Sequence, residues 1–134
     1  MFNLERTYLV LLAILIASFS NGASAKSFNS PIGEWNDQYL RADGTWYWST
    51  TTFINSAKAT YTNPDGQIFF YLTDDYKWEG YWVEDGPDEC SEEKYGSKVW
   101  GVIVFQFNDD YNKYKGTWDL CGLGKKYPLD GLRI

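Results

Sequence analysis

Histidine is absent from this chain of 134 residues. That removes Ser-His-Asp and Cys-His nucleophile pairs, imidazole bases, and His-ligated zinc or haem. Basic residues are in the minority, 12 against 18 acidic ones, for a formal charge of −6. An acidic surface repels phosphate backbones and anionic headgroups, so nucleic acid and anionic membrane are poor partners. There is no acceptor for N-glycosylation either, because Asn29-Ser30 runs into Pro31 and Asn63 precedes Pro64. No segment sustains a 3.6-residue apolar period, which argues against any long helix. The longest apolar run, "YLVLLAILIASF", is well short of the roughly 20 residues a spanning helix needs.

That run has a different reading. It follows Arg6 and precedes Ala23-Ser24-Ala25, a small-x-small cleavage pattern, so residues 1–25 read as a signal peptide. A retained membrane anchor is the alternative. Export leaves a mature chain from Lys26, long enough for one domain with a modest core. Residues 26–43 are taken as an N-terminal segment and residues 44–134 as a single β domain. The only cysteines, Cys90 and Cys121, form one disulfide in such a chain, with free thiols or an intermolecular bridge as alternatives.

What the sequence does have is aromatic side chains: seven Trp, eleven Tyr and eight Phe. They fall in short runs with Thr, Val and Ile, punctuated by Gly, Asn and Asp, the signature of brief strands. "GTWYWSTTTF" (44–53) is the first clear strand, and "ATYT" (59–62) follows it. The "NPDG" turn (63–66) then leads to "QIFFYL" (67–72). One phrase occurs twice: "FYLTDDYKWEGYW" (70–82) is echoed by "FQFNDDYNKYKGTW" (105–118). Each is a hairpin in which Asp-Asp-Tyr starts the turn and Gly-x-Trp returns.

Strand alternation assigns faces. Tyr114, Gly116, Trp118 and Leu120 face inward, and Lys113, Lys115, Thr117 and Asp119 outward. The echo sends Trp78, Gly80 and Trp82 inward, and by the same rule Trp46 and Trp48. Ile68, Phe70 and Leu72 join them, matched by Ile103, Phe105 and Phe107. The Gly before each Trp relieves crowding or kinks the strand where a sheet curls. The fold class is all-β, an antiparallel up-and-down meander closing into a small barrel of six to eight strands. Its turns at 54–58, 73–77 and 108–112 share one end. "NPDG", the loop 85–97 and the stretch after Cys121 share the other, which brings the two cysteines together.

The succession Gly44-Thr45-Trp46, Thr60-Tyr61, Gly66-x-Ile68, Gly80-x-Trp82, Trp100-Gly101, Phe105, Phe107, Asp110 and Gly116-Thr117-Trp118 resembles small secreted β modules with recurrent Gly-x-Trp strands. It covers most of residues 44–121. The resemblance implies an avidin-like or lipocalin-like barrel and carries no activity with it. Biotin-binding residues do not map onto the chain, and Ala59 and Phe70 stand where glycine is the norm.

Three groups are candidates for function. Asp74, Asp75, Asp109 and Asp110 gather at one barrel end as candidate cation ligands or a glycosidase-like acid pair, against a plain reading as solvated turns. The acidic run "EDGPDECSEE" (84–93) could attract cations or a mineral surface, or be a wet loop held by the disulfide. Phe69, Tyr71, Tyr81 and Trp100 point outward with Val83, Val102 and Val104, an apolar patch that is either a binding surface or is covered by "IGEWNDQYL" or "YPLDGLRI". The function expected is that of a secreted, non-catalytic module without cofactor or metal. It would bind an extracellular glycan, small molecule or protein, or self-associate, through that patch or the Asp-lined end. The rivals are an acidic structural component of an extracellular matrix and a small carboxylate-based enzyme acting on glycans.

Overall fold

A computed structural model describes residues 26–134; the leader read over 1–25 lies outside the described residues. Eight strands follow one another: β1 (Gly33–Leu40), β2 (Trp46–Phe53), β3 (Lys58–Tyr61), β4 (Gly66–Thr73), β5 (Lys77–Val83), β6 (Trp100–Phe107), β7 (Lys113–Trp118) and β8 (Tyr127–Arg133). Each pairs antiparallel with the next, and β1 pairs with β8 to close the barrel. The all-β meander expected from the sequence is therefore the fold, and closure leaves no free sheet edge.

The barrel begins earlier than the sequence reading placed it. β1 lies inside the segment 26–43, and β8 is the stretch "YPLDGLR". Both were candidates for covering the outer patch; they are staves of the barrel instead. Each breaks the usual strand composition, β1 with Asn36, Asp37 and Gln38, and β8 with Pro128 and Gly131.

The interior is divided along its axis. At one end Trp35, Phe53, Phe105 and Phe107 are almost completely buried, with Trp78 and Phe70 packed beside them. Ring centroids lie 5.0 Å apart for Phe53–Phe105 and 5.5 Å for Trp35–Phe107, mostly edge to face. The segment before β1 plugs this end. Pro31 is buried and its carbonyl accepts the Trp35 indole N–H at 2.9 Å. Arg133 lies over the Phe28 ring at 3.9 Å and donates to the carbonyls of Ser30, Ile32 and Tyr111.

The echoed phrase meets itself here. The two Asp-Asp turns lie at the plugged end, where the Tyr76 and Tyr111 rings stand 5.2 Å apart. The Tyr111 hydroxyl donates to the Asp75 carbonyl, and the Phe107 amide donates to the Tyr76 carbonyl at 2.7 Å. The repeated Gly before Trp has a steric cause. A Cβ on Gly80 would run into the Phe69 carbonyl, and one on Gly116 into the Val104 carbonyl, so both mark close approach to a neighbouring strand.

Several face assignments need correction. Trp46 and Trp48 lie outside, Trp48 with 68% of its surface exposed. Phe53 and Thr51 take the inward positions of β2, and period two then turns Trp46 and Trp48 to solvent. Leu72 is exposed because pairing slips at a bulge between Phe70 and Leu72. Asp119, expected outside, is buried: its carboxylate accepts the amides of Val102, Gly122 and Gly124, which fixes the turn after β7.

Candidate functional site

Beyond the plugged core a cavity of about 360 Å³ opens toward the opposite end of the barrel. Thr51 and Ser49 of β2, Ile68 of β4 and Ile103 of β6 line it, where the plugged end has Trp and Phe. Trp82 of β5 and Trp118 of β7 form an aromatic wall, their rings 5.9 Å apart and nearly perpendicular. Both indole N–H groups are engaged elsewhere. Trp82 donates to the Asp119 carbonyl at 2.8 Å and Trp118 to the Leu40 carbonyl at 3.0 Å, so each presents an apolar ring. Tyr39 and Tyr61 complete the wall; they donate to the Asn63 carbonyl and the Glu84 carboxylate, each at 2.7 Å.

The cavity ends on Asp37, which points inward from β1 between Trp35 and Tyr39 and is only 3% exposed. Thr51 donates to one carboxyl oxygen and Tyr114 to the other. Tyr114 reaches it across Gly131, which pairs with both residues; a Cβ there would enter the Tyr114 ring. Burial pushes the Asp37 carboxyl up to about 7; the two hydroxyl donors oppose this and the Asp130 carboxylate adds to it. Tyr114 is held well above the ordinary phenol range, first by burial and then by Asp37. At the rim, burial also raises Glu84, against the pull of the Tyr61 hydrogen bond. Chemically, the site offers one buried acid, two fixed hydroxyls and an aromatic tunnel.

The residues singled out from the sequence lie elsewhere. Asp74, Asp75, Asp109 and Asp110 are exposed on the turns at the plugged end. Among the described residues no group of three or more acidic or thiol side chains comes together to hold a metal ion. Trp100 is 5% exposed, buried under the loop between β5 and β6. The loop that carries the acidic run is therefore a lid on the outer face. Glu92 accepts the Trp100 indole N–H at 2.8 Å, Tyr95 stacks on Phe69 at 3.9 Å, and Lys94 lies over Tyr81 at 4.8 Å. The Cys90–Cys121 disulfide ties this loop to the stretch after β7, its Cα atoms 5.4 Å apart. Tyr71 stays half exposed beside Tyr81. Phe69, Tyr81 and Trp100 thus form a small outer core, and the patch is not a free surface.

Asp37 was missed. Its signal was present in "WNDQY", where alternate positions read aromatic, acid, aromatic, the pattern of an inward acid between inward rings. No protein-family model, no curated protein and no solved structure matches this chain.

Proposed function

We propose that this chain is a secreted, non-catalytic carrier that holds one small, largely apolar molecule in the mouth of its barrel. The observation that carries the reading is the cavity of about 360 Å³ with an aromatic wall and a single buried acid at its inner end. Its size is at the low end for small-molecule sites, and a few placed polar groups in an apolar lining are their usual make-up. An eight-stranded barrel has room for one small ligand when its inward side chains are small. Export is part of the proposal, supported by the leader-like residues 1–25 and by a disulfide of the kind that persists outside reducing compartments.

The test is a fluorescence titration of residues 26–134 with the neutral probe N-phenyl-1-naphthylamine. The expected result is saturation at one probe per chain with a blue-shifted emission, weakened by about tenfold or more in Trp118→Ala. Emission that never saturates, or saturates unchanged in that variant, would overturn the carrier reading.

A further inference from the structure

The identity of the ligand's buried end follows from what Asp37 lacks. An ionised carboxylate has about four lone-pair positions, and two hydroxyl donors leave Asp37 half used. Among the described residues no cation forms an ion pair with it. The one salt bridge among the described residues is Lys98–Asp88, on the loop between β5 and β6. The charge felt most at Asp37 is that of Asp130, which has the same sign. Of the four charged residues lining the cavity, Asp37, Glu84, Glu89 and Arg41, only Arg41 is basic, and it lies over the Tyr47 ring at 4.3 Å. Isolated buried carboxyls are costly and are normally paired. A cavity that ends on one, in a chain of charge −6, is built to receive positive charge.

We propose that the ligand is an organic amine whose ammonium group docks on Asp37 while its apolar body lies against Trp82, Trp118 and Ile103. This rests on the carrier reading above and adds the chemical class. The ammonium supplies N–H donors to the remaining lone pairs, while Thr51 and Tyr114 hold the carboxyl in place at the cavity wall. A neutral body suits the wall, because both indole N–H groups are already satisfied.

Uptake is then coupled to protons. Tyr114 on β7 and Thr51 on β2 bond Asp37, and the Asp130 carboxylate acts on it from the outer face of β8; Glu84, Glu89, Arg41, Tyr39, Tyr61 and Tyr127 line the cavity further out. With the empty carboxyl near 7, docking of an ammonium below that pH must expel a proton. Affinity therefore falls as pH drops through that range, by up to about tenfold per unit.

The experiment competes three shape-matched compounds against N-phenyl-1-naphthylamine at pH 8: 2-phenylethylamine, uncharged propylbenzene and anionic 3-phenylpropanoate. The amine should displace the probe at concentrations at least about tenfold lower than either of the others. That ratio should collapse towards one in Asp37→Asn, and the amine should bind more weakly at pH 6 than at pH 8. Equal potency of amine and hydrocarbon, or preference for the anion, would overturn the amine assignment, and an amine affinity unchanged between pH 6 and pH 8 would overturn its coupling to protons. These outcomes are read on the wild-type protein, so they stand even if Asp37→Asn fails to fold. Failure of the probe itself to bind would instead remove the carrier reading.

Discussion

Burying a carboxylic acid beside two hydroxyls ties the stability of this barrel to proton concentration. The folded Asp37 carboxyl sits near 7, above its ordinary 3.8. Between those values the folded chain keeps a proton that the unfolded chain has lost. The stabilisation is fully present below about pH 4 and disappears as pH rises through 7. Urea denaturation of wild type and Asp37→Asn at pH 4.5 and pH 8 should show this. The wild type should lose on the order of 3 kcal/mol relative to the variant on going to the higher pH. Glu84 is shifted in the same direction and contributes to the slope the variant retains. The outward tryptophans give a second expectation. Iodide should quench Trp46 and Trp48 and spare Trp35, and Trp46→Phe with Trp48→Phe should change stability by no more than about 0.5 kcal/mol. Sequence alternation placed these two inside because Gly-x-Trp is inward on β5 and β7. On β2 the inward set is fixed by Phe53 and by the bond from Thr51 to Asp37, a long-range contact that local pattern does not carry.

At the scale of the element, the two hairpins that share a phrase were readable because both signals are local. Asp-Asp-Tyr makes the turn, and Gly-x-Trp marks where a strand passes close to its neighbour. Gly116→Ala should therefore cost more than its extra methyl suggests, about 2 kcal/mol or more, measured by denaturant midpoint. The fate of the apolar outer face was not readable. Alternation shows that Phe69, Tyr81 and Trp100 point outward, but not that the loop after β5 folds back over them. The disulfide joins that loop to the segment after β7, and removing it with Cys90→Ala and Cys121→Ala should cost roughly 3–4 kcal/mol on the chain-entropy view. Trp100→Ala should cost about 3–5 kcal/mol, the loss of a core residue rather than of a contact surface. A loss below about 1 kcal/mol in thermal unfolding would show that the loop does not hold it.

For the whole molecule, the up-and-down order and the common end of the Asp-Asp turns follow from alternating hairpins, which is why they were legible. The hollow was not. It depends on how far the side chains of Trp35 and Phe53 reach along the axis from the plug, and on a strand whose acid disguised it. Closure rests on β8, so deleting residues 127–134 should expose the edges of β1 and β7 and leave the chain aggregated, as seen by size-exclusion chromatography.

The plug also decides how the molecule can be held. Asn112 donates to the Lys26 carbonyl and the Ile134 amide to the Glu34 carbonyl, so Lys26 and Ile134 both lie at the plugged end, beside the Asp-Asp turns. The mouth is at the far end of the long axis. A handle joined at Lys26 or at Ile134 would thus orient the barrel with its opening away from the support. Copies joined head to tail by flexible spacers would keep every opening accessible, so uptake of the naphthylamine probe, as the carrier proposal requires it, should scale with copy number on a sensor or bead.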